Sequence, residues 1–197
     1  VGQFFMLECT GIKDGKYIIT DLNGDGEISD DDRTYVGDAQ PDLTFGWQNN
    51  FTWKNWDFSF FFRGTIGNKV LNNPRAAYAN NTYLIGTNAL DDELTYTMKE
   101  SSRVCSYYLE NGSFIRLDNL ALGYTFDTKK INWLDKARLY FAAQNLFVIT
   151  GYKGLDPEVE LFRGESSDTD AGLSPGIEPR QFFPKARTFT LGVNLTF

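Results

Sequence analysis

The chain has 197 residues, with 26 acidic side chains against 19 basic ones, a net charge of −7 and no histidine. So acidic a chain lacks the basic stripe that neutralises phosphates, which excludes a nucleic-acid partner. With no histidine and only Cys9 and Cys105, zinc clusters, haem attachment and Cys/His nucleophile pairs are excluded as well. The two cysteines leave open a single disulfide or two unpaired thiols.

Aromatic residues make up 16% of the chain, led by 17 Phe and 10 Tyr, and strands accept these residues better than helices do. An all-β fold is therefore expected. No apolar run approaches the roughly 20 residues of a transmembrane helix. The start, VGQFFMLECT, lacks the basic region of a signal peptide, so either a signal was removed or the chain begins within a longer protein.

In chain order, a first strand is expected near Phe4 to Thr10, and Tyr17-Ile-Ile-Thr20 is extended. Residues 21–32 then fit the calcium-loop template: side-chain oxygens from Asp21, Asn23 and Asp25, the turn glycine Gly26, the backbone carbonyl of Glu27 and a carboxylate at Asp32. Asp32 is shorter than the glutamate usual at that place, and no strong amphipathic helix follows. Ca²⁺ is the expected ion, in a structural role. The competing reading is an acidic turn that holds no metal.

From Leu43 onward, charge-free stretches with a period of two alternate with acidic connections. Phe45, Trp47, Phe51 and Trp53 oppose Thr44, Gly46, Gln48, Asn50 and Thr52. Phe58, Phe60 and Phe62 oppose Ser59, Arg63 and Thr65, with Phe61 as the exception. Leu120, Leu122, Tyr124 and Phe126 alternate with Asn119, Ala121, Gly123 and Thr125. Ala137 to Thr150 is less regular, because Asn145 falls on the face of Leu139 and Phe141; a bulge would restore the register. Phe189, Leu191, Val193, Leu195 and Phe197 alternate with Thr188, Thr190, Gly192, Asn194 and Thr196.

Spans of about 10 residues with an apolar, aromatic face opposite a small polar one match an antiparallel transmembrane β-barrel segment. The connections support this, since Lys54 to Asp57 and Asp127 to Asp135 are short whereas Gly67 to Gly112 and Gly151 to Lys185 are long. Short turns are periplasmic and long loops extracellular in such barrels, which places Phe197, Trp53, Trp56, Phe58, Phe126 and Trp133 near the periplasmic interface. Ser59, Arg63, Thr65, Asn119, Tyr140 and Gln144 then face the lumen. The final run, Thr190 to Phe197, resembles the terminal strand by which outer-membrane barrels are recognised for assembly. Asp21 to Asp32, Asp91 to Glu100 and Asp156 to Asp170 read as solvated loops, and no catalytic carboxylate pair stands out from them.

Several segments together resemble one family. Asp21-Leu-Asn-Gly-Asp-Gly, Asp32-Arg33, Val36-Gly37 and Pro41-Asp42-Leu43-Thr44-Phe45-Gly46 are followed in order by Phe114-Ile-Arg-Leu-Asp-Asn-Leu-Ala-Leu-Gly-Tyr124, Ala143-Gln-Asn-Leu-Phe147, Tyr152-Lys-Gly-Leu-Asp-Pro-Glu158 and Pro184-Lys-Ala-Arg187. The set is similar to the C-terminal barrel region of the SusC/RagA family of TonB-linked outer-membrane proteins, across nearly all of residues 1–197. The resemblance implies an active importer of glycans or peptides, not an enzyme, with a SusD-like surface lipoprotein as lid and energy from TonB. It also implies a barrel of about 22 strands around a plug, of which this chain supplies about six. The plug, the TonB-contacting segment and the rest of the barrel then lie outside this sequence. The alternative from another class is a secreted, calcium-stabilised β-sandwich that binds polysaccharide through Trp47, Trp53 or Trp56.

Overall fold

The computed structural model describes residues 2–80, 88–129, 131, 133–159, 175–180 and 183–197. The chain divides into two compact units. One comprises residues 1–42, 66–113 and 151–183; the other comprises residues 43–65, 114–150 and 184–197.

The second unit is a wall of five antiparallel strands. β5 (Leu43–Trp53), β6 (Trp56–Ile66), β9 (Phe114–Phe126), β10 (Lys136–Thr150) and β11 (Thr188–Thr196) lie in the order β11-β10-β9-β6-β5. Four of them have 11 to 15 residues, enough to cross a bilayer's hydrocarbon core at a tilt. Lys54, with φ of 53°, makes the tight turn between β5 and β6. At the opposite end Thr65 pairs with Phe114, and Phe114 with Thr150. The chain leaves the wall for the other unit only at this end.

The alternation sets the two faces. Ring contacts join Trp47 to Phe60 and Phe62, and Phe51 to Phe58 and Phe60. Registered pairing continues the apolar face through Leu122, Phe141 and Leu191. Leu191 is 74% exposed on this face, and no second sheet covers it among the described residues. A face of this kind in water is an aggregation hazard, whereas in lipid it is at home. The face favours the barrel over the sandwich alternative: the tryptophans named as sugar platforms belong to an apolar aromatic face.

Asn145 receives the bulge that the sequence asks for. Pairing between β9 and β10 shifts between Gln144 and Phe147, and Asn145 adopts a φ of 51°. Asparagine tolerates that conformation better than most residues, so the strand removes its polar side chain from the apolar face there. Opposite it, Asp118 is the extra residue of β9, so that Leu120 and Leu122 but also Leu117 and Ile115 share the apolar side.

The first unit contains short elements. β1 (Gln3–Leu7) pairs with β4 (Arg33–Asp38), β2 (Cys9–Lys13) with β3 (Lys16–Ile19), and β7 (Lys69–Leu71) with β8 (Leu109–Asn111). The expected strand near Phe4 to Thr10 is thus two strands, neither of them part of the wall. At five residues each they are too short to span a bilayer, and the break falls at Glu8, whose carbonyl accepts the Thr20 amide at 3.0 Å. Among the described residues the wall has five strands, where the sequence suggested about six.

The connection read as a long loop between β6 and β9 is folded. It holds α1 (Asn73–Tyr78), capped by Asn72, and α2 (Glu93–Thr97), capped by Asp92, each side chain accepting a first-turn amide. Their apolar sides join a core of Phe4, Leu71, Ala76, Ala79, Leu94, Met98, Cys105 and Tyr108. No described helix is long and apolar enough to cross a membrane, which says nothing of strands. In the acidic stretch Asp156 to Asp170, residues 160–170 lie outside the described ones.

Candidate functional site

The polar face of the wall is held by charge pairs between strands. Asp57 on β6 takes a forked contact from Arg138 on β10, with Nε to Oδ1 at 2.9 Å. The fork passes across Gly123 of β9, where an added Cβ would come within 2.3 Å of the Arg138 guanidinium. Arg138 also lies 5.2 Å from the centre of the Tyr140 ring, and that ring covers Gly192 of β11, where a Cβ would meet it at 2.3 Å. Small residues thus let large polar groups lie flat along this face. Beside them Arg63 pairs with Asp118 at 3.1 Å. Phe61, the exception in the sequence pattern, lies over Gly46 on the same side.

Higher on the wall, Arg116 is buried with its guanidinium over the Phe114 ring at 5.5 Å, and it donates to Asn145 Oδ1. Asn145 Nδ2 in turn donates to the carbonyls of Lys185 at 2.6 Å and Ala186 at 3.3 Å. Segments scattered through the sequence therefore meet in one network, joining β9, the β10 bulge and the approach to β11.

Of the residues assigned to the lumen, Ser59, Arg63, Asn119, Tyr140 and Gln144 occupy the polar side by register, with Thr65 at the wall's end. Sequence reasoning missed Asp57, Arg116, Asp118 and Arg138. A signal was available for Asp57 and Arg138, which lie just outside the charge-free stretches on polar-face parity with opposite signs. Arg116 and Asp118 share sequence parity with Leu120 and Leu122 and reach the polar side only through the register shift at Asp118.

The acidic loop follows β3. Asp21 accepts the amides of Gly24 at 2.7 Å and Gly26 at 2.9 Å, so the loop coils around its first carboxylate. Asn23 and Asp25 make successive turns of the same type, accepting the amides of Asp25 and Glu27. Asp32, fully buried, closes the loop by accepting from Leu22 at 2.8 Å and from Ser29 at 2.9 Å. The Ser29 and Leu22 amides hold its carboxyl below the usual 3.8. The backbone path fits a cation loop, with Gly24 and Gly26 both at positive φ. The side chains are turned toward amides instead: among the described residues no three carboxylates or thiols gather to hold a metal ion.

A third cluster lies in the first unit. Glu178, with no exposed surface, accepts from the Leu155 amide at 3.1 Å and from the Tyr152 hydroxyl, and burial pushes its carboxyl upward. A cleft of about 230 Å³ beside it is lined by Asn72, Arg75, Asp92, Lys153 and Glu178. Arg75 is already paired there with Asp92 at 2.7 Å.

Comparison with known proteins supplies the context for this arrangement. No family model matches the chain. It is 36% identical over 197 residues to TonB-dependent receptor P3 of Formosa agariphila, a match covering 93% of the chain and 19% of the receptor. It is 29% identical to TonB-dependent receptor SusC of Bacteroides thetaiotaomicron, covering 99% of the chain and 19% of that protein. Among solved structures, the RagAB peptide transporter matches with a TM-score of 0.75 and 26% identity, over 99% of this chain and 22% of that one. The chain spans about a fifth of the length of these relatives.

Proposed function

We infer, from a chain that is a SusC/RagA-like stretch of a TonB-dependent transporter, that it contributes five adjacent strands to an outer-membrane barrel importing a nutrient. The observation that carries this reading is the wall itself: one sheet, lipid-compatible on one side and charge-paired on the other. The relatives are receptors and transporters, and no hydrolytic or redox constellation is needed to account for the residues described.

In the whole protein the wall joins the remainder of the barrel around a plug. TonB acts through the segment absent from this sequence, and a SusD-like lipoprotein lids the outer end. The imported class is oligosaccharide or peptide; the likeness to the RagAB peptide transporter supports the peptide reading. Deleting the gene for the full protein should abolish growth on the nutrient while leaving growth on its monomer intact. Recovery of the protein in the soluble fraction of lysed cells, free of detergent, would overturn the reading.

A second proposal is that the loop at residues 21–32 takes Ca²⁺. Asp21, Asn23, Asp25 and Asp32 would supply side-chain oxygens, and Glu27 its carbonyl, once the carboxylates turn from the amides toward the ion. The support is the template spacing together with the coil already formed around Asp21. The ion would order the link between β3 and β4 and do no chemistry. Calorimetric titration of the detergent-solubilised transporter with CaCl₂ tests it: binding should vanish in the Asp21→Asn, Asp25→Asn double variant, and unchanged binding there removes the proposal.

A further inference from the structure

The two cysteines stand 96 positions apart in sequence, yet the first unit brings them together. The Cys9 amide donates to Ser106 Oγ at 2.8 Å, and that hydroxyl donates back to the Cys9 carbonyl at 3.5 Å. Residue 9 of β2 is thus clamped to the immediate neighbour of Cys105. The Cys9 side chain packs against the core cluster that contains Cys105, its thiol donating to the Gly11 carbonyl at 3.2 Å. Around them, the Tyr17 and Tyr108 hydroxyls meet at 2.7 Å, and Cys105 and Tyr108 belong to the unit's core.

We propose that Cys9 and Cys105 are joined by a disulfide in the mature protein. The Cys9–Ser106 clamp and the shared core bring the two residues into one neighbourhood, from which the sulfurs must reach the bonded distance of about 2.05 Å. The bond would tie β2 to the turn before β8, closing a loop that contains the β5–β6 hairpin. Cross-links across so long a loop restrict the unfolded chain most.

The chemistry is two successive exchanges with a disulfide-bearing thiol oxidoreductase of the cell envelope. The half-buried Cys9, as thiolate, attacks one sulfur of the donor disulfide and expels the other as a thiolate. Cys105, having lost its proton, then attacks Cys9 Sγ and releases the second donor sulfur. Two thiols of this chain are oxidised, the donor disulfide is reduced to a dithiol, and the two protons pass to the donor. Cys105 has no exposed surface, and burial pushes its thiol up to about 12. That order of attack follows, because Cys9 is the accessible member.

The inference rests on the outer-membrane reading for its oxidising compartment. The full transporter is isolated from cells quenched with an alkylating reagent, then mapped by non-reducing peptide mass spectrometry. A linked peptide pair containing Cys9 and Cys105 is expected. It should be lost in Cys9→Ser, with protease half-life of the first unit falling about tenfold or more, to the value that wild type shows after reduction. Stoichiometric alkylation of both thiols in the quenched wild type overturns the proposal. Treating the reduced, purified transporter with oxidised glutathione then locates the failure. Linkage there shows that the geometry holds and the compartment is at fault, which cell fractionation confirms separately. No linkage shows that the geometry is wrong.

Discussion

Gly123 shows how much a single residue can decide. The Asp57–Arg138 fork crosses its Cα face, and any side chain must displace one partner. Gly123→Val should reduce the folded transporter in the membrane severely, whereas Asp57→Asn should be milder, because the pair is partly open to water and its coupling is worth about 1 kcal/mol or less. Heat-modifiability on gels, compared between the two variants, checks the ordering. Asp32 makes a pH prediction. Its carboxyl is held low by amides, so the stability it lends is complete above the ordinary 3.8 and is lost as pH falls through the depressed value. Cleavage near Gly24 by an acid-active protease should therefore rise only in acid. Asp32→Asn should raise cleavage at neutral pH and remove the acid step.

At the scale of the element, face parity is the property to test. Leu191 and Thr190 are neighbours on β11 with opposite faces. Leu191→Arg should cost about 2–4 kcal/mol near the bilayer midplane, while Thr190→Arg should be tolerated. Equal losses in a lipid-reconstituted unfolding titration would contradict the assignment of faces. Most of this parity was legible in the sequence, since apolar and small polar residues alternate through β5, β6, β9 and β11. Two of the places where it breaks share one cause. Phe61 breaks the pattern because Gly46 leaves room for its ring on the polar side, and Asn145 breaks it because a bulge turns it away. Both depend on a partner strand distant in sequence, which periodicity within one strand cannot report. The first unit was misread for a related reason: its strands and helices of three to six residues depend on a shared core, to which local signals such as the Asn72 and Asp92 caps are only an addition.

For the whole molecule, connectivity gives each end of the wall a different character. Trp53, Trp56, Phe126, Trp133 and Phe197 gather at the short-turn end, with Trp133 and Phe197 stacked at 5.9 Å. Amphipathic rings of this kind mark a membrane–water boundary. A cysteine placed at Tyr96, in the first unit, should react with an impermeant maleimide on intact cells above the wild-type background. One at Lys129, in the short connection, should react only after the outer membrane is permeabilised. Equal labelling of the two would reverse or remove the orientation.

The paired bulges at Asp118 and Asn145 also bear on how such walls can change over time. One extra residue in β9 faces two in β10, so the odd count in β9 reverses its face pattern while the even count in β10 preserves it. Elsewhere in these strands the insertion or loss of one residue would turn every following side chain over, placing charge in lipid. Length variation within the wall is therefore confined to even steps or to the bulge. A gap of one residue in an alignment of intact relatives should fall there or in a connection, and a lineage carrying one in mid-strand should carry a compensating change nearby.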